Sequence, residues 1–282
     1  MNDWVVSAAA RLPQASPSCR TWRVIGAAVQ GTAHARHNLP CQDWQGHRCL
    51  PGGGLVIAVA DGAGSAPRSE RGARRAVEAA LDAAVLAVEA LLTRVPAPTA
   101  VDWEDLLRWV MRAARQAVAA RARSEHHRLR EYATTLTIAI AAQGWLAVAQ
   151  IGDGVVVAQD EQGALWAATH LQKGEYANET QFLTLRGALK YVEICAEQRP
   201  VQALAAMSDG LVRLALRLPS GEPHLPFFQP LFGFVAGAED ESLAGRRLAA
   251  FLASERVCAR TDDDKSLVLA VCVDPAEVEG PA

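Results

Sequence analysis

Acidic residues recur in this chain at the ends of apolar runs, in Val59-Ala60-Asp61-Gly62, Ile151-Gly152-Asp153-Gly154, Met207-Ser208-Asp209-Gly210 and Asp262-Asp263-Asp264-Lys265-Ser266. An unpaired carboxylate inside a buried strand is costly, whereas at the strand's mouth it faces a cleft backed by a rigid sheet. Repetition in distant segments predicts that these acids converge on shared cations. Hard divalent ions such as Mg²⁺ and Mn²⁺ take carboxylate, carbonyl and water oxygens. The glycine after Asp61 admits a close backbone approach and leaves its own carbonyl as a further ligand. Two such ions sharing one carboxylate lower the pKa of a water and set the hydroxide in line with a phosphate ester. That chemistry requires no side-chain nucleophile.

Taken singly, an Asp-Gly after a strand is a turn signal, and Asp153-Gly154, between two strand-like runs, fits that description best. The Asp262–Asp264 run leads straight into an apolar strand, which argues against simple solvation of all three. The glycine-rich stretch Gly62-Ala63-Gly64-Ser65 lacks the Gly-Lys-Ser/Thr ending of a P-loop and the full Gly-x-Gly-x-x-Gly. Ser65 reads instead as the cap of the helix that follows.

The elements that must position these acids are legible from periodicity. Leu55–Ala60 is a short continuous apolar run between Pro51-Gly52-Gly53-Gly54 and Asp61-Gly62, the pattern of a buried strand. Over 67–92 the period becomes helical, with Val77, Leu81, Ala84, Val85, Val88 and Leu92 on one face. A second helix is predicted after Asp102, taken as its N-cap, with Trp103, Leu106, Leu107, Val110, Ala114 and Val118 forming its stripe. Strands at Thr134–Ala141, Trp145–Ile151, Val155–Gln159 and Ala164–Ala168 then read as an antiparallel meander. Further strands are predicted at Trp22–Gln30, Tyr191–Ala196, Ala203–Ser208 and Ser266–Val273, and helices near Leu211–Leu216 and Glu241–Ser254. Strands in runs with helices in separate pairs predict an α+β fold, a four-layer αββα sandwich of two antiparallel β-sheets flanked by helical pairs.

The chain has 282 residues, of which 50% are hydrophobic and 21% charged, enough for one well-buried domain. Residues 1–20 read as a loose Ala/Pro/Ser-rich arm, 21–274 as a single domain and 275–282 as a tail. A net charge of −3 argues against nucleic acid as a partner. No apolar stretch approaches a membrane span, and the start of the chain has no basic leader segment. The six cysteines show no Cys-x-x-Cys pair. These features lead to the expectation of a cytoplasmic protein with reduced thiols. The arginine-flanked His126-His127 reads as a solvated helix face, and Trp103, Trp109, Trp145 and Trp166 read as core.

In order along the chain, Cys41-Gln42-Asp43, Val59-Ala60-Asp61-Gly62-Ala63-Gly64, Ala133-Thr134-Thr135-Leu136, Ile151-Gly152-Asp153-Gly154, Ser208-Asp209-Gly210 and Asp263-Asp264-Lys265-Ser266 resemble the metal-dependent type 2C (PPM) serine/threonine protein phosphatases. The likeness runs from about Trp22 to Val273. It implies a β-sandwich flanked by helical pairs and two Mn²⁺ or Mg²⁺ ions, with a possible third. By motif, Asp61 would bridge the two ions and Gly62 would offer its carbonyl to one. Asp209 and Asp263 would hold the second ion, Asp43 would act through water on the first, and Asp153 would bind a weaker third ion with Asp209. The segment His170–Leu189 occupies the place of a flap beside the cleft.

The departures from the family pattern resemble a divergent bacterial branch more than the eukaryotic members. Arg36-His37-Asn38-Leu39-Pro40-Cys41-Gln42-Asp43 stands where familiar members carry Arg-x-x-Asn-Glu-Asp, so an acid has become Gln42 and the phosphate-gripping arginine is out of register. His34 or Arg36 is assigned that grip, and His34 and His37 are the candidates for general acid. The resemblance implies a phosphorylated protein substrate and a cognate bacterial Ser/Thr kinase that the enzyme opposes. The alternatives are a phosphatase-like module that binds phosphorylated or stress-signalling partners without turnover, and a phosphatase of small metabolites.

Overall fold

Continuous apolar runs become inner strands, and the two longest amphipathic stretches become the helices that cover them. The computed structural model describes residues 21–169 and 180–273. The expected arm, the expected tail and positions 170–179 of the flap-like segment lie outside the described residues.

In chain order the elements are β1 (Thr21–Val29), α1 (Thr32–Arg36), β2 (Trp44–Leu50), β3 (Gly54–Ala60), α2 (Ser69–Leu92), α3 (Ala100–Ser124), β4 (Leu136–Ala142), β5 (Trp145–Ile151), β6 (Val155–Gln159) and β7 (Leu165–Ala167). There follow β8 (Glu193–Glu197), β9 (Ala203–Met207), α4 (Val212–Ala215), β10 (Leu216–Arg217), β11 (Glu222–Pro223), α5 (Leu225–Ala236), α6 (Glu241–Leu252), α7 (Glu255–Cys258) and β12 (Lys265–Val273). One sheet has the order β1-β12-β9-β6-β7 and the other β2-β3-β4-β5-β8, and every pairing in them is antiparallel.

Three apolar layers hold the sandwich together. Between the sheets lie Leu55, Ile57, Leu204 and Val268 with small residues such as Ala139, Ala141, Ala158 and Ala206, which permit close facing of the two sheets. The outer face of the β2–β8 sheet packs on α2 and α3 through Ala76, Ala80, Leu107, Met111 and the fully buried Trp103. The outer face of the β1–β7 sheet packs on α5 and α6 through Phe228, Val235, Leu248 and Leu252. The expected four-layer arrangement is therefore present.

Several local expectations differ from the structure. The strands read as one meander divide between the sheets: β4 and β5 pair in one sheet, and β6 and β7 in the other. The turn at Gly152-Asp153-Gly154 is thus a crossing from sheet to sheet, and Gly152 takes φ +105°, a conformation that side chains disfavour. Asp102 is not the N-cap of α3. Thr99 is, and its backbone N–H and hydroxyl donate to Asp102 Oδ2 at 2.9 and 2.6 Å, making a capping box. Ser65 does not cap α2, which begins at Ser69 with Arg68 at the cap position. The tryptophans divide as well: Trp145 packs 6.4 Å from Trp103, Trp166 lies under the Arg199 guanidinium, and Trp109 is 46% exposed.

Candidate active site

Strand register brings the acids to one end of the sandwich. Trp44 pairs with Ala60, so Asp43, just before β2, stands opposite Asp61, just after β3. In the other sheet Met207 pairs with both Val155 and Leu267, which sets Asp209 beyond β9 close to the crossing turn of Asp153 and to the start of β12. One carboxylate oxygen from each of Asp61, Asp153 and Asp209 lies within 4.8 Å of the others. The Asp43 and Asp61 side chains are close enough to act on each other's ionisation. Asp263 is outside that trio, yet its charge acts on both Asp61 and Asp209.

The backbone around Asp61 is clamped from three sides. Its N–H donates to Thr135 Oγ1 at 2.8 Å, and its carbonyl accepts from Thr135 N–H at 2.8 Å and from Thr134 Oγ1 at 2.9 Å. Gly62 N–H donates to the Gln42 carbonyl at 3.1 Å, and a methyl on Gly62 would sit 2.7 Å from that same oxygen, so only glycine allows this approach. The segments bearing Asp43 and Asp61 are thereby locked together.

Ser208 links the two sheets. Its hydroxyl donates to Asp43 Oδ2 at 2.6 Å and accepts from Ser266 N–H at 3.0 Å. The sequence pattern presented Ser208 only as a neighbour of Asp209, with no signal that its partner would be an acid 165 positions earlier.

The three consecutive aspartates have three different surroundings. Asp262 is 68% exposed and pairs with Arg36 at 3.2 Å. Asp263 is exposed and accepts from Asp264 N–H at 2.8 Å. Asp264 has a side chain only 1% exposed and accepts from the N–H groups of Gly31 and Gln42, each at 2.5 Å, with His34 Nδ1 at 2.8 Å. It anchors both the entry to α1 and the residue before Asp43. Lys265, also missed as a site residue, is fully buried and donates from Nζ to the Asp263 carbonyl at 2.9 Å.

Burial and crowding of like charge raise the acids. Asp43 is raised to about 7, chiefly by burial, against the favourable hydrogen bond from Ser208. Asp209 is also raised to about 7, by burial and then by the charges of Asp153, Asp263 and Asp43. Asp61 stands well above its ordinary value because of burial, then Asp43 and Asp209. Such a cluster is stable as carboxylates only with a compensating cation.

The donor set fits a hard divalent ion. Asp153 receives a bond from Thr180 Oγ1 at 3.0 Å on one oxygen, while its other oxygen, Oδ1, is buried without a donor among the described residues. An orphaned carboxylate oxygen beside two further carboxylates is what an oxygen-seeking cation requires. His34 is set apart from Arg36: its Nδ1 is buried 2.8 Å from the Asp264 carboxylate but out of line for a hydrogen bond, and Nε2 would be 3.8 Å from a methyl placed on Gly64. The Arg36 side chain is 67% exposed, and besides the Asp262 pair it donates from Nε to the Thr32 carbonyl at 3.1 Å.

A sequence model of the family described as Protein phosphatase 2C matches residues 30–253. This chain belongs to the protein phosphatase 2C family. Serine/threonine-protein phosphatase 3 of Escherichia coli (strain K12) is 34% identical to this 2C phosphatase over 261 residues, spanning 89% of this chain and 98% of the relative. Among solved structures, the serine/threonine phosphatase Stp1 from Staphylococcus aureus aligns with a TM-score of 0.56 at 13% identity, covering 89% of this chain and 95% of that one. PppA of Pseudomonas aeruginosa aligns at 0.55 and 15% identity, covering 90% of this chain and 98% of that one. At such identities these two likenesses speak for the fold. The family is metal-dependent, in keeping with the acidic cluster. No helix among the described residues is long and apolar enough to cross a membrane.

Proposed function

We propose that this 2C phosphatase hydrolyses phosphoserine and phosphothreonine in protein substrates, in the bacterial cytoplasm, and opposes a Ser/Thr kinase. The observation that carries the reading is the convergence of Asp61, Asp153 and Asp209 from both sheets and the crossing turn. Family membership and the identity to an Escherichia coli serine/threonine phosphatase support it. The residues assigned to Mn²⁺ or Mg²⁺ are Asp43, Asp61, Gly62, Asp153, Asp209 and Asp263, for two ions and a third at Asp153 and Asp209. Bound there, the ions supply Lewis acidity and a water of lowered pKa.

The remaining roles fall to the chain's own groups. Thr134, Thr135 and Ser208 hold Asp61 and Asp43 in place. The His34 ring lies against the buried Asp264, with Nδ1 2.8 Å from its carboxylate, which favours His34 over the outward-paired Arg36 and over His37 for gripping phosphate or protonating the leaving alkoxide. Replacing His34 by Ala is expected to raise KM for a phosphoprotein more than replacing Arg36.

The deciding experiment follows phosphate release from a phosphoserine peptide as Mn²⁺ is added to the wild type, Asp61→Asn and Asp209→Asn. Turnover that depends on metal and is lost in both variants is expected. The engagement of Arg36 by Asp262 favours a second reading, a binding module for phosphorylated partners. That reading takes over if p-nitrophenyl phosphate is not turned over at any Mn²⁺ level and Asp61→Asn behaves as the wild type.

A further inference from the structure

On the outer face of the β1–β7 sheet, α4, α5, α6 and α7 surround a groove of about 720 Å³. Its buried floor is Leu231, Leu248 and Val257, and the half-buried rings of Phe227, Phe234 and Phe251 face it. The cause is visible in α5, whose sequence LPFFQPLFGFVA is apolar on nearly every side. One side, with Phe228, Phe232 and Val235, packs on the sheet. A helix apolar all round is normally covered all round, and here the second apolar side meets the groove.

Four arginines line the same groove: Arg213 from α4, Arg247 from α6, Arg256 from α7 and Arg260 just beyond it. All four are exposed, and none pairs with a carboxylate among the described residues. In the opposite helical layer Arg71, Arg74, Arg108 and Arg121 each pair with a glutamate, whereas Arg75, Arg112, Arg115 and Arg123 on the same helices pair with none among the described residues. Among the described residues, no acid lines the groove. In a chain of net charge −3, a concave apolar surface ringed by four uncompensated guanidinium groups is complementary to an anionic, apolar-anchored ligand.

We propose that this groove docks an acidic peptide segment carrying aliphatic or aromatic anchors, belonging to a protein partner. The arginines come from three separate helices and the turn that follows the last of them, which suits an extended peptide whose acids are spread along it. The groove also adjoins the acidic cluster along the chain: Arg213 lies four residues after Asp209, and Arg260 three before Asp263. A peptide seated there would tether a phosphoprotein to the enzyme. Only this identification of the partner as substrate rests on the phosphatase reading; the docking itself does not.

The test measures anisotropy of a short fluorescein-labelled peptide of glutamates around Leu and Phe, with wild type and the double variant Arg247→Glu/Arg256→Glu. Both positions are exposed and outside the metal site, so p-nitrophenyl phosphate turnover is expected to stay unchanged. Affinity is expected to fall ~10-fold or more on charge reversal, to persist with Lys at both positions, and to weaken as salt rises. The lysine variant and the salt titration keep the test decisive if the reversed variant does not fold. Equal binding to wild type and reversed variant, or equal binding of a peptide with Lys in place of Glu, overturns the proposal. Tighter binding of a synthetic peptide of residues 1–20, or of anionic lipid vesicles, gives the groove to the chain's own arm or to a membrane and overturns it too. Because the readout is binding, a protein without turnover that still takes the peptide refutes the enzymatic reading alone.

Discussion

The run Asp262-Asp263-Asp264 offers a sharp test, because three identical side chains in succession are assigned three different tasks. Asp264 is buried and receives two backbone N–H groups at 2.5 Å. Hydrogen bonds to a charged group contribute about 1.5–3 kcal/mol each, and an unpaired buried donor costs about 1–3 kcal/mol. Asp264→Asn keeps one accepting oxygen and turns an amide N–H against the second donor, while removing a buried charge. We expect a loss of roughly 2–4 kcal/mol, read as a lower urea midpoint with unchanged slope. Since Gln42 N–H precedes Asp43, the Mn²⁺ half-saturation should also rise. Asp262→Asn breaks an exposed pair and should change stability by no more than about 1 kcal/mol. Asp263→Asn removes a charge that raises Asp61 and Asp209, so the metal-free protein should be as stable as the wild type or slightly more so, with turnover lost. Equal urea midpoints for Asp262→Asn and Asp264→Asn would refute this division of labour.

Other outcomes follow from the same geometry. Asp43 and Asp209 hold their protons up to about pH 7 when folded, against an ordinary 3.8, so the metal-free fold loses stability as pH rises through that window. For one such group the change from pH 5 to 8 amounts to roughly 3 kcal/mol, and Mn²⁺ should therefore raise Tm more at pH 8 than at pH 5 in a thermal scan. A methyl on Gly210 would overlap the Asp264 carbonyl oxygen. Gly210→Ala should cost about 1–3 kcal/mol and displace Asp209, visible as weaker Mn²⁺ binding by calorimetry. Lys265→Met removes a buried cation beside buried acids and leaves the Asp263 carbonyl without its donor, so stability read from the urea midpoint should fall by about 1–3 kcal/mol and turnover should fall with it.

The convergence of Asp61, Asp153 and Asp209 was legible because each carboxylate stands next to glycine at a strand end, and the order of these motifs in the chain carried the family resemblance. The layers followed from period, since α2 and α3 show clean stripes. What the sequence concealed has physical reasons. Helix α5 carries Pro226, Pro230 and Gly233 and lacks a polar face, so no amphipathic period announces it. Strand β2, with Gln45, His47 and Arg48, is half polar and forms by pairing with β3 rather than by its own pattern. The Gly152-Asp153-Gly154 segment looks like a hairpin turn because a local pattern cannot say which sheet the next strand joins. Neither could it separate the buried Asp264 from its exposed neighbours, because the backbone partners that bury Asp264 lie more than 200 positions away.

The Ser208 hydroxyl joins an acid of one sheet to the first strand residues of the other, across an interface made largely of alanine and valine. Small side chains interlock weakly, so the sandwich relies on its acidic end to keep the two sheets from sliding. A cation bound there would act as a rivet between the sheets. Stripping it should accelerate amide exchange at the ends of β3 and β9 together, leaving their distant ends protected, and the enzyme's rigidity would then depend on the supply of its metal.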